Sequence, residues 1–133
     1  MEEYKLIVKE LNSGNDVMLD ATLENENNQF REIRLARRDD PERQVRAAGL
    51  LVEALADKIG LKTADDIELF SISVQDNNAK AELNIIVDDK PYHGSGEISK
   101  DTLSSKTLMT AVVAALVDAL NQANGWEKRI SVI

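Results

Sequence analysis

Along the first forty residues apolar side chains recur at every second position. Tyr4, Leu6 and Val8 alternate with charged or polar neighbours, Ile7 apart, and Val17, Leu19, Ala21 and Leu23 alternate with Met18, Asp20, Thr22 and Glu24. That period turns one face of a strand to a core and the other to water. The stretches Asn12-Ser13-Gly14-Asn15-Asp16 and Glu24-Asn25-Glu26-Asn27-Asn28 read as turns, since Asn, Asp and Gly tolerate positive φ or bond their own backbone. Gln29 to Ala36 reads as a third strand carrying Phe30, Ile33 and Leu35. Phe30 and Ile33 are out of phase, which requires a bulge between them or Phe30 on the other face. At Asp40-Pro41 the period becomes helical. Asp40 offers an N-cap acceptor, Pro41 suits the first helical position, Val45, Ala48, Leu51, Val52, Leu55 and Ile59 form one apolar stripe, and Gly60 suits a left-handed C-cap.

The second half repeats this order. Ile67 to Val74 reads as a strand, Gln75-Asp76-Asn77-Asn78 as a turn, and Ala79, Ala81, Leu83, Ile85 and Val87 as a strictly alternating middle strand. After a turn at Asp88-Asp89-Lys90-Pro91, Tyr92 to Ile98 reads as the third strand, with Gly94-Ser95-Gly96 in it as a glycine loop ahead of a helix. In the polar stretch that follows, Ser99, Asp101 and Ser104 each suit an N-cap. The helix, Lys106 to Asn124, carries Leu108, Ala111, Val112, Ala115, Leu116, Ala119 and Leu120 on a broad face and Met109, Val113 and Val117 on a second flank. That excess of apolar surface fits either a dimer contact or a helix buried between two layers.

Val52-Glu53-Ala54-Leu55, closing on Gly60, is echoed by Val117-Asp118-Ala119-Leu120, closing on Gly125. The middle strands, opened by Val17 and Ala79, and the third strands, with Phe30 and Tyr92, stand at one common offset. The expectation is a single α+β domain made of a duplicated β-β-β-α unit, repeats 1–62 and 63–133, with antiparallel sheets and helices packed on one side of each sheet.

Composition narrows the function classes. A chain of 133 residues, 43% of them hydrophobic, can bury one core. Its net charge of −8 disfavours nucleic acid as a partner, because such affinity rests on many Lys and Arg displacing counterions. The basic cluster Arg31, Arg34, Arg37 and Arg38 is flanked by Asp39 and Asp40. The absence of Cys excludes disulfides, thiolate catalysis and Cys-based zinc sites. The start, Met1-Glu2-Glu3-Tyr4-Lys5, lacks the regions of a signal peptide, and the longest apolar run, Ala111 to Val117, is too short to span a bilayer. The expectation is a cytoplasmic protein with no membrane or nucleic-acid partner.

Few residues offer chemistry. His93, the single histidine, suits a general base but also an ordinary strand position. Asp39-Asp40 and Asp88-Asp89 resemble metal carboxylates, yet both pairs lie where Asp serves turns and caps. No catalytic residue, metal or cofactor is assigned. Gly94-Ser95-Gly96 has two readings: backbone amides that meet a carboxylate or phosphate, or a bend in a strand. No Gly-Lys-Ser/Thr follows it and a third Gly is missing, so it is neither a P-loop nor a dinucleotide fingerprint.

The repeated β-β-β-α order, with Ala79-Lys80-Ala81-Glu82-Leu83, Tyr92-His93-Gly94-Ser95-Gly96 and a helix ending Ala119-Leu120-Asn121, resembles the C-terminal regulatory domain of alpha-isopropylmalate synthase and related acyltransferases. This is their leucine-sensing and dimerisation domain. The resemblance implies a standalone, non-catalytic regulatory module in the sphere of leucine biosynthesis. It would bind a branched-chain amino acid or similar small carboxylate at His93, Gly94, Ser95 and Gly96, with a homodimer or a partner synthase as assembly. The first half departs from the pattern: Glu32 to Asp40 holds no glycine and carries arginines instead. Leucine binding lost, reduced to one loop, or replaced by another anionic ligand all remain open. The alternative is a structural protein–protein interaction domain with no small-molecule ligand.

Overall fold

The computed structural model describes residues 2–75, 78–99 and 108–133. Among them seven strands and two helices run in the order β1 (Glu2–Ser13), β2 (Asp16–Glu24), β3 (Gln29–Arg37), α1 (Pro41–Lys58), β4 (Asp66–Gln75), β5 (Asn78–Val87), β6 (Lys90–Ser99), α2 (Leu108–Ala123) and β7 (Lys128–Val132). The fold is α+β, and the element order β-β-β-α occurs twice. The expected turn residues Asp76 and Asn77 and the expected N-caps Asp101 and Ser104 lie outside the described residues, while Ser99 ends β6.

Each half forms an antiparallel meander. The register of β2 on β3 runs unbroken from Asp16–Arg37 to Glu24–Gln29, so no bulge separates Phe30 from Ile33. Phe30 instead faces inward beneath the Lys58 ammonium, 5.9 Å from the ring centre, whereas Ile33 and Leu35 face outward and are exposed. In the second meander a bulge between Leu69 and Ser71 interrupts the ladder of β4 on β5.

The sheets are antiparallel as expected except at β7, a strand the sequence reading does not include. Its short alternation of Ile130 and Val132 pairs in parallel with β1, Tyr4 opposite Ile130 and Leu6 opposite Val132. One sheet therefore has four strands, β3-β2-β1-β7, and the other three, β4-β5-β6. Their buried faces are built by the alternating residues: Tyr4, Leu6, Val8, Leu19, Ala21 and Leu23 on one, Ala79, Ala81, Leu83, Ile85 and Val87 on the other.

The two helices differ in how much of their surface is buried. Along α1, Ala47, Ala48, Leu51, Val52, Leu55 and Ala56 are buried while Leu50 is exposed, an amphipathic helix lying on β3 and against α2. Helix α2 is buried almost all round, from Met109 to Val113 and from Ala115 to Val117, because it touches β5 and β6 on one side and β1 and β7 on the other. Burial between two layers thus accounts for its second apolar flank. No described helix is long and apolar enough to cross a membrane.

Both helices end the same way. Gly60 and Gly125 have φ of +78 and +67, and the next amide turns back into the helix, Leu61 N–H to the Ala56 carbonyl at 3.0 Å and Trp126 N–H to that of Asn121 at 3.1 Å. Where the halves join, the Asn124 side chain accepts from the Lys62 amide at 2.8 Å and donates to the Lys62 carbonyl at 3.1 Å. The connection around residue 62 is thereby fixed to the end of α2.

Candidate functional site

The sequence places its site residues on β6. The β5–β6 turn brings Asp88 and Asp89 to φ of 52 and 65, values that Asp tolerates, and the ladder then continues from Val87–Lys90 to Asn78–Ser99. Gly94-Ser95-Gly96 is therefore not a loop: Gly94 pairs with Leu83 and Gly96 with Ala81 in mid-strand. Alternation points His93 and Ser95 outward and turns both glycines toward α2. A Cβ on Gly94 would overlap the Ala115 carbonyl oxygen, and one on Gly96 would lie 2.5 Å from the Ala111 oxygen and from the Ala115 nitrogen. Ala111, Ala115 and Ala119, one helical turn apart and fully buried, form the facing stripe. The glycines are there because the helix backbone rests on the strand at a distance that excludes any side chain.

The outer edge of β6 is closed by the same helix. Asp118 accepts the Ser95 amide at 3.0 Å, and Gln122, one turn on, donates to the His93 carbonyl at 2.8 Å. A carboxylate does meet a glycine-flanked amide here, but it belongs to α2. The His93 ring lies 3.1 Å from the Asn84 side-chain oxygen across the strand pair. Gly94 and Gly96 thus lie in a closed strand–helix seam together with the backbone groups of His93 and Ser95, whose side chains are exposed on the other face. Replacing Asp118 by Ala is expected to cost about 1 kcal/mol by denaturant titration, with the Ser95 amide proton exchanging faster in the variant.

The Asp pairs singled out in the sequence serve local structure. The Asp40 side chain accepts the Arg43 amide at 3.1 Å as N-cap of α1, and Asp39 pairs with Arg37. Asp88 meets the Lys62 ammonium at 2.7 Å. Among the described residues no group of three His, Asp or Glu side chains is placed to hold a metal ion. Glu10, buried under the first sheet, accepts from the Thr110 hydroxyl of α2 at 3.1 Å.

On the outward face of the four-stranded sheet, Arg31 grips both oxygens of Asp20 at 2.8 and 2.9 Å beside a shallow depression of about 360 Å³. These hydrogen bonds hold the Asp20 carboxyl below its ordinary range, and Lys58 followed by Arg34 does the same for Glu32. A depressed carboxyl stabilises the fold above its unfolded-state pKa, near 4, and that share is lost as pH falls through the lower folded-state value. Asp20→Asn is therefore expected to narrow the difference in unfolding free energy between pH 7 and pH 3, by less than about 1 kcal/mol because Arg31 is largely exposed.

A second concavity lies between α1 and β4. Its volume is about 720 Å³, with Val45, Gly49, Leu50, Ala64, Ile67 and Leu69 supplying apolar lining, Asp65 and Asp66 at the start of β4, and Asp40, Glu42, Arg43, Arg46 and Glu53 along α1, so that acidic side chains outnumber basic ones. Leu50 and Leu69 are 48% and 37% exposed, large for aliphatic side chains that line a groove. Among the described residues β4 is an edge strand. Because the Ser95 amide points away from β5, hydrogen-bond alternation turns the backbone groups of Leu83 toward β6, those of Asn84 toward β4, and those of Ile67 and Leu69 away from β5. The Ile67 amide is held by the adjoining Asp66 carboxylate at 3.0 Å. Sequence reading misses this groove, since its only local signal is Leu50 lying outside the apolar stripe of α1.

No protein-family model matches the chain, and a search of curated proteins finds no match.

Proposed function

We propose that the chain is a non-catalytic interaction module that binds another polypeptide in the groove between α1 and β4. The observation that carries this reading is the conjunction of an open sheet edge with exposed Leu50 and Leu69 beside it. Three other places are occupied from within: the glycine pair by α2, the Ser95 amide by Asp118, and the Asp20 carboxylate by Arg31. A regulatory role through a partner enzyme, which the resemblance implies, fits this reading.

Panning a random peptide library on the intact chain tests it. Wild type is expected to enrich a consensus that the Leu50→Lys/Leu69→Lys double variant does not, while that variant keeps its fold, since both side chains are exposed. No consensus, or the same one on both proteins, would contradict the reading. Sensing of a branched-chain amino acid at the glycine pair is a separate proposal. Calorimetric titration with leucine, isoleucine and valine tests that one: saturable heat would support it, and its absence would remove it.

A further inference from the structure

Among the described residues the two sheets differ by one strand, and the place where the second sheet lacks it is the groove beside β4. In the first sheet β7 follows α2, crosses to β1 and pairs with it in parallel. Glu2 and Leu6 of β1 make the backbone bonds to it, Glu2 N–H to the Glu127 carbonyl at 3.1 Å and the Leu6 carbonyl to Ile133 N–H at 2.9 Å. The register sets Glu2 opposite Lys128, Glu3 opposite Arg129, Tyr4 opposite Ile130 and Leu6 opposite Val132. The β4 strand begins with the same pattern. Aligning inward Ile67 with inward Tyr4 puts Leu69 at the place of Leu6 and Asp65-Asp66 at the place of Glu2-Glu3. The backbone groups of Ile67 and Leu69 point away from β5, as those of Leu6 point toward β7.

Resting on the interaction reading above, we infer that the groove takes an extended segment of a partner protein, added to β4 in parallel, with two basic residues followed by alternating aliphatic ones. The acidic pair Asp65-Asp66 at the mouth of the groove favours the basic residues by charge, at the register place where Glu2-Glu3 lies opposite Lys128-Arg129, although within the chain Lys128 turns to the Ile59 carbonyl and Arg129 to the Trp126 ring. The aliphatic side chains enter between β4 and α1 onto Gly49, Leu50 and Leu69. One difference marks the added strand as a ligand. In α2 the Asn121 side chain grips Ile130 by its carbonyl at 2.9 Å and its amide at 3.0 Å. Alignment of the two helix ends puts Ala56 at that place in α1, and its methyl group makes no hydrogen bond. A strand there gains ladder bonds and apolar contact without the clamp, which suits reversible binding.

The probe is a synthetic peptide, Lys-Arg-Ile-Ser-Val-Ile, copied from residues 128–133, titrated into the isotope-labelled intact chain. The expected result is saturable amide shifts at Ile67 and Leu69, a loss of affinity of at least tenfold in Leu69→Lys, and a similar loss when the peptide begins Glu-Glu. Shifts confined to Tyr4 and Leu6 would mean that the peptide replaces β7 and would overturn the inference, as would the absence of binding or affinity unchanged in Leu69→Lys. A library consensus lost in the double variant but lacking the basic pair and the alternation would overturn this inference and leave the interaction reading standing.

Discussion

Gly94→Ala is expected to destabilise the protein by about 3 kcal/mol and to lower its thermal midpoint by about 10 °C, although the change adds a single methyl group. The methyl has no space: it would overlap the Ala115 carbonyl and stand 2.9 Å from the Ala119 methyl. Relief requires α2 to lift from β6, and α2 touches both sheets. Lifting it would also draw Asp118 and Gln122 away from the strand edge they close. Ser95→Ala, one residue on but facing solvent, is expected to change stability by no more than about 0.5 kcal/mol. Calorimetric melting of the two variants separates a packing seam from an open binding loop. In a loop, Gly94→Ala would cost little and would act on a ligand.

The second large effect is expected at Asn121. Its side-chain amide donates to the Ile130 carbonyl and its oxygen accepts the Ile130 amide, both in buried surroundings. In Asn121→Ala these two backbone groups lose their partners away from water, which costs about 2–3 kcal/mol. The damage should centre on β7, so amide exchange in Lys128–Val132 is expected to accelerate more than exchange in β5. A uniform acceleration across the fold would show instead that β7 and the rest open as one unit.

Where side chains alternate over a full strand, the sequence shows the fold directly. Leu19 to Leu23 and Ala79 to Val87 have one face that must be dry, and the turns between them use Asn, Asp and Gly for their backbone freedom. The helix ends are equally legible, because Gly60 and Gly125 mark left-handed caps. β7 is not. It is five residues long, follows a left-handed Trp126, and finds its parallel partner at the other end of the chain, so its existence depends on Asn121 and β1. The glycine pair is ambiguous for another reason. Glycine permits both a close ligand and a close helix, and the chain alone does not say which approaches. A signal is nonetheless present: Gly94 and Gly96 share one strand face, and Ala111, Ala115 and Ala119 share one helix face, the pattern of two backbones brought into contact.

The same distinction governs the functional reading. An edge strand is either protected or available, and among the described residues the three-stranded sheet has one edge of each kind. At β6 the helix supplies Asp118 and Gln122, whereas at β4 the protein supplies an exposed leucine pair and an acidic border. Residue-resolved amide exchange on the intact chain tests that contrast directly. The Ser95 amide, held by Asp118, is predicted to exchange at least about a hundredfold more slowly than the outward Leu69 amide. A Ser95 amide exchanging as fast as Leu69 would contradict the closed seam, and a Leu69 amide as protected as Ser95 would contradict the open edge.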